Sequence, residues 1–258
     1  MLFYLSAKSV SNFSEKNYFC GMMYVVLTLV GVLAGFLSGS VGFGGGMVLL
    51  PVITYFCGVE VAVPVSTIAQ LLSNVSRVGM GWHEVNWREV GRFLILAAPL
   101  TALGALGFAS IDKSLMTKIL CVFLVIFAIV KLHGKVHLPK NRATMLVGGG
   151  LTGLINGLLG ISGPLSSAVF LTLGLSPVAY IASEAAAAAT MHIIKAVVYG
   201  RLQLLDWSSL INGVIIGVAM MVGNFVAMRL IRNIDKKRYQ KIVAAVMIGI
   251  SVWLFFSV

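Results

Sequence analysis

Acidic residues are scarce: the 258-residue chain has eight Asp and Glu against 19 Lys and Arg. Charged residues of both signs make up 10% of it, where a soluble domain carries about 25%. That shortage excludes an ordinary soluble globule, and the shortage of polar residues excludes a disordered chain. Cysteine is nearly absent. Cys20, Cys57 and Cys121 are scattered, with no CxxC and no His at ligand spacing, so neither a disulfide framework nor a zinc site is expected. The chain lacks GxSxG, HExxH and a P-loop, which argues against an ATP-driven pump within it and gives no catalytic residue, metal or cofactor to expect. Short segments of alternating polarity are missing too, which excludes an outer-membrane barrel.

Long apolar blocks fill the space. Hydrophobic residues account for 59% of the chain and the mean hydropathy is +1.00. A spanning helix needs about 20 apolar residues, so the length allows at most roughly ten spans and no sizeable soluble domain. Ten apolar segments can be drawn: 22–38, 44–57, 61–80, 91–109, 115–132, 143–159, 164–174, 177–199, 208–228 and 241–257. The second and seventh are too short to span comfortably, and both follow glycine-rich stretches, GSVGFGGG (39–46) and GLLGISGP (157–164). Residues 1–21 form a polar leader without the order of a secretory signal. Met22-Met23 leave a second translation start open.

The chain repeats itself. Gly35, Gly39, Gly42 and Gly45 recur at the same spacing as Gly153, Gly157, Gly160 and Gly163. Asn86-Trp87 matches Asp206-Trp207, Ile111-Asp112-Lys113 matches Ile234-Asp235-Lys236, and Lys118-Ile119 matches Lys241-Ile242, all in order. The expected fold is therefore all-α. It is a polytopic integral membrane protein of two homologous halves, 22–132 and 143–258, joined by the basic loop 133–142. Five membrane segments per half is an odd number, which inverts the second half. In that arrangement most of the 19 Lys and Arg fall on one face, whereas a parallel one divides them more evenly. The excess charge of +11 sits between apolar blocks, as in Lys135–Arg142 and Arg229–Lys241. It fits loops held against anionic lipid, not nucleic-acid binding.

Three constellations could carry chemistry. The first is the pair of glycine-rich breaks. A helix interrupted inside the bilayer frees backbone groups that only protein or a wet cavity can satisfy. Helices restarting after Gly44-Gly45-Gly46 and at Ser162-Gly163-Pro164 would aim free N–H groups, and the positive helix end, at an anion. The alternative is close helix packing through small residues. The second is a polar stripe. Ser66, Gln70, Ser73, Asn74 and Arg77 share a helical face, as do Glu184, Ala188, His192 and Lys195, with Ser183 beside them. Arg77 then corresponds to Lys195, and Asn74 to His192. A charge at mid-bilayer is costly, which favours a polar interior; near-interface anchoring is the alternative for both cations. Glu184 would neutralise Lys195 or His192, or carry a coupling proton, as would His192. The third is the pair of turns GWHEVNW (81–87) and YGRLQLLDW (199–207). Their Trp82, Trp87, Tyr199 and Trp207 suit the headgroup zone as anchors.

The run GFLSGSVGFGGGMVLLPVITYF (35–56), its echo GLTGLINGLLGISGPLSSAVFLTLGLSP (150–177), and the N-W and D-W turns resemble the TauE/SafE sulfite exporter family, also called the toluene-sulfonate uptake permeases. The likeness covers about residues 24–257. It implies a multi-pass bacterial inner-membrane permease for sulfite, sulfoacetate or another sulfur-containing or organic anion. Members are commonly described with fewer spans than the ten segments drawn above. The second break has Ser162-Gly163-Pro164 where the first has three glycines, so the half-sites are not equivalent. The expected function is secondary transport of a small anion across the cytoplasmic membrane. The partners are that anion, lipid and a coupling proton. The anion would be held by Gly44, Gly45, Gly46, Ser66, Gln70, Asn74, Arg77, Ser162, Gly163, Ser183, His192 and Lys195. An anion channel, or a membrane enzyme or assembly factor using His192 and Glu184, are the alternatives.

Overall fold

The computed structural model describes residues 25–43, 45–112, 114–115, 118–119, 122, 138–161 and 163–231. Nearly all of the described chain is helical, and no strand occurs among the described residues. Among the described residues, eight α-helices of nine residues or more follow in order: α1 (Val25–Val41), α2 (Gly45–Cys57), α3 (Val59–Met80), α4 (Trp87–Ser110), α5 (Arg142–Leu159), α6 (Gly163–Leu171), α7 (Pro177–Arg201) and α8 (Trp207–Ile231). They correspond to eight of the ten expected segments. The leader 1–21, the segment 241–257, most of the segment 115–132 and the first half of the loop 133–142 lie outside the described residues.

Length and apolar composition are sufficient for α4, α7 and α8 to cross a membrane, and α1 and α2 are shorter apolar helices. At 1.5 Å per residue α2 is only about 20 Å long and α6 about 14 Å. Neither reaches across a hydrocarbon core of about 30 Å. The seventh segment ends early as a helix, at Leu171, because Gly174 turns the chain with a φ of 64°.

Local signals explain the starts and stops. Asn86, Asn141, Ser176 and Asp206 each offer a side-chain oxygen to a backbone N–H of the following first turn, at 3.3, 2.7, 3.2 and 2.8 Å. The repeated Asn86-Trp87 and Asp206-Trp207 are thus equivalent helix caps. Hydrogen bonds from the Ser209 hydroxyl and backbone N–H hold the exposed Asp206 carboxyl below the usual carboxylate range. α1 and α5 both end on a left-handed glycine. Gly42 (φ 86°) and Gly160 (φ 75°) turn back to donate to the carbonyls of Ser38 and Asn156, each at 2.9 Å.

Packing pairs the helices crosswise. α4 lies most extensively on α5, and α3 on α8; α7 packs on both α3 and α4. Glycines set the close approaches. Gly149, Gly153 and Gly157 of α5 press on the backbone of Phe93, Ala97 and Thr101 in α4, and Gly104 answers against Leu154. In the same manner Gly35 and Gly39 of α1 press on Met220 and Asn224 of α8, and Gly223 answers against Val32 and Phe36. Without a hydrophobic drive between helices in lipid, such contact area is what holds them together. Outward faces stay apolar, as with Val25, Leu29 and Leu33 on α1 and Val218, Val222 and Phe225 on α8.

A methyl group therefore has opposite effects at different glycines. Gly153→Ala drives a Cβ into the Ala97 carbonyl and should cost about 1–3 kcal/mol, the usual penalty of overpacking. Gly91→Ala, with nothing within 4 Å, should gain about 0.5–1 kcal/mol from helix propensity. Unfolding of the purified variants in mixed detergent reads both. Equal shifts at the two positions would contradict the packing.

Candidate functional site

The polar stripes of α3 and α7 turn inward and meet. Ser66, Ser73, Asn74 and Arg77 are buried on α3, as are Ser183, Glu184, His192 and Lys195 on α7. Arg77 is 3% exposed and Lys195 0%, so neither cation is a near-interface anchor.

Between them lies a polar cavity. Its walls include Ser38, Gly42 and Phe43 at the end of α1, Gly45, Gly46 and Met47 at the start of α2, and Gln70, Ser73, Asn74 and Arg77 on α3. Ile161 and Gly163 from the second break, Glu184, Ala188 and His192 on α7, and Met220 on α8 close it. Both glycine-rich breaks therefore open onto the same space. It has about 20 Å³ of room, enough for roughly one water.

Arg77 organises this space. Its Nη1 donates to the Gly42 carbonyl at 2.8 Å and to the Ser38 carbonyl at 3.3 Å, which neutralises the negative end of α1. It also pairs with Glu184 Oε2 at 3.3 Å, and its Nη2 donates to Asn74 Oδ1. The other carboxylate oxygen of Glu184 accepts from Ser166 Oγ at 2.6 Å, in the first turn of α6. The expectation that Glu184 neutralises Lys195 or His192 is therefore corrected: its partner is Arg77, on a different helix. A counterpart arrangement surrounds Lys195. Its Nζ lies 3.3 Å from Asn156 Oδ1, at the end of α5, and 5.9 Å from the centre of the Tyr199 ring. Asn156 occupies the repeat position of Ser38, so each cation reaches back to the broken end of a glycine-rich helix.

Gln70 laces the two breaks together. Its Nε2 donates to the Gly160 carbonyl at 3.3 Å, while its amide lies where a side chain on Gly46 would stand. Tyr180 packs its ring against Gly42, at a spot that only glycine leaves open. Two polar nitrogens at the cavity, Arg77 Nε and His192 Nδ1, have no partner among the described residues.

Of the residues expected from sequence, Gly45, Gly46, Gln70, Asn74, Arg77, Gly163, His192 and Glu184 line this cavity. Ser66, Ser183 and Lys195 are buried but are not among its walls. Ser183 Oγ instead accepts the backbone N–H of Asn86 at 2.8 Å. Gly44 and Ser162 lie outside the described residues. Tyr199, expected as a headgroup anchor, is fully buried; it donates to the Gly157 carbonyl at 3.1 Å and packs on Phe108. Trp82, Trp87 and Trp207 are exposed.

Ser38 and Asn224 escaped the sequence reading. Asn224 is a buried polar residue within the long apolar α8. Its Nδ2 donates to the Ser73 carbonyl, Ser73 Oγ and Ser76 Oγ, each at 2.9 Å, which fixes α8 to α3 beside the site. Its signal was an isolated amide in an apolar helix, a costly placement without an interior partner.

No curated protein and no solved structure matches the chain. The family model for sulfite exporter TauE/SafE matches residues 27–254. With its apolar outer faces and interrupted inner helices, the chain is a multi-pass membrane protein and belongs to the TauE/SafE sulfite exporter family.

Proposed function

We propose that the chain is a secondary transporter of a small sulfur-containing or organic anion, such as sulfite or a sulfonate, in the cytoplasmic membrane of a bacterium. One observation carries this reading. Two helix breaks far apart in sequence open onto a single buried cavity that also holds Arg77. Backbone N–H groups at Gly45, Gly46 and Gly163 would bind the oxygens of the anion, with Gly44 and Ser162 completing the breaks. Arg77 supplies charge directly, and Lys195 supplies it from the α5 side. Gln70, Asn74 and His192 offer hydrogen bonds at the wall, and Ser66 and Ser183 support the polar helices behind it. A proton, on Glu184 or His192, is the coupling ion.

The reading includes two homologous inverted halves, α1–α4 and α5–α8 with their following segments. The support is the ordered recurrence of motifs and the exchanged contacts, α1 on α8 and α5 on α4. A cavity with room for one water favours a carrier over an open channel, and the catalytic alternative lacks a nucleophile–base pair among the described residues of the site.

Counterflow tests the reading. Proteoliposomes loaded with unlabelled sulfite should accelerate entry of labelled sulfite several-fold and saturably. Entry that neither saturates nor responds to internal sulfite would indicate a channel, and no entry of sulfite, thiosulfate or methanesulfonate would refute anion transport.

A further inference from the structure

Among the described residues, Arg77 and Glu184 form the only ion pair with both side chains buried. The carboxylate stands between two groups that an incoming anion would use: the Arg77 guanidinium at 3.3 Å and the first turn of α6, through Ser166 Oγ at 2.6 Å. Negatively charged and accepting through both oxygens, it offers these donors what the head of a small oxyanion would. The remaining space, about 20 Å³, does not admit such an anion beside it. We propose that Glu184 is a tethered stand-in for the cargo: its ionised carboxylate and the transported anion exclude one another on Arg77, and each anion bound places one proton on Glu184. The proposal rests on the anion-transport reading above and names how that site is coupled.

Charge balance requires this exchange. With Glu184 ionised, a second anion would set two negative groups against one guanidinium in a site of low dielectric. When a proton arrives with a singly charged anion, the guanidinium passes from the carboxylate to the anion. The neutral carboxyl can then swing away, and the net charge of the site is unchanged. The guanidinium Nε, without a partner among the described residues, gives the anion a second donor. The ionisable side chains buried around Glu184 are Arg77 from α3 and Tyr180, His192 and Lys195 from α7 itself. Among the described residues, α1, α2, α4, α5, α6 and α8 bury no acidic or basic side chain. Among the described residues, Glu184 is thus the one buried acid able to trade places with an anion.

The test uses the full chain in weakly buffered detergent solution with a pH indicator. Methanesulfonate and thiosulfate are the probes, because both stay ionised across the working range whereas sulfite itself titrates there. Wild type should take up one proton per methanesulfonate bound, and its affinity should fall about tenfold per pH unit once Glu184 is ionised. Glu184→Gln should bind at least as tightly, take up no proton and show no such slope. Binding by Glu184→Gln where wild type shows none would also support exclusion. Wild-type binding without proton uptake, or uptake that persists in Glu184→Gln, overturns the proposal and leaves anion transport standing. Should Glu184→Gln not fold, the wild-type proton count decides alone. Failure of both anions to bind either protein overturns the proposal together with the transport reading beneath it.

Discussion

Arg77→Met is expected to abolish anion counterflow and to destabilise the protein by about 3–5 kcal/mol, the usual cost of leaving one partner of a buried ion pair uncompensated. The loss of transport follows from the removal of a charged donor at the cavity, worth about 2–5 kcal/mol or at least roughly thirtyfold. The stability loss has a separate origin, which the double variant exposes. In Arg77→Met/Glu184→Leu no charge is stranded, and most of the lost stability should return. The return is incomplete, because Arg77 also satisfies the carbonyls of Ser38 and Gly42 at the end of α1. Transport stays absent in both. Unfolding in mixed detergent, alongside counterflow, separates the two roles. A double variant as unstable as the single one would mean that Arg77 matters as a helix-end partner and that Glu184 is not its dependent.

Lys195 should show the opposite combination. Its ammonium is fully buried, and its side-chain partners are the neutral Asn156 and the face of Tyr199. No carboxylate pairs with it among the described residues. Met matches its length and removes the burden of a buried charge. Lys195→Met should therefore leave stability unchanged or raise it by about 1–4 kcal/mol. Counterflow should fall at least roughly thirtyfold, since the electrostatic attraction for a buried anion is lost. If stability drops by several kcal/mol while transport persists, Lys195 is a structural tie to the end of α5 and nothing more.

The helices and the polar stripes were legible in the sequence because both depend on short-range periodicity. Gln70, Asn74 and Arg77 follow one another at helical spacing, and they share the cavity wall. Ser183 shows the limit of proximity in sequence. It is next to Glu184, but one residue is about 100° of helix rotation, so it points at Asn86 instead. Glycine was ambiguous for a physical reason. Gly35 and Gly153 pack helices, whereas Gly42 and Gly160 end them; both uses need a missing side chain, and only the backbone angle separates them. The Arg77–Glu184 pair joins α3 to α7 across more than a hundred residues, a distance at which local pattern carries no information. Nearness of Arg77 to the end of its segment suggested an interface. The guanidinium instead turns to the end of α1, which stops inside the structure.

The most direct measurement is anomalous diffraction from crystals of the full chain soaked in selenite, the selenium counterpart of sulfite, at low pH. The account predicts one selenium peak within hydrogen-bond reach of the Arg77 guanidinium and of the backbone N–H groups at Gly45 and Gly163, with the Glu184 carboxyl displaced. Selenium ordered elsewhere on the molecule, with the Arg77–Glu184 pair intact and the cavity holding only water, would contradict it.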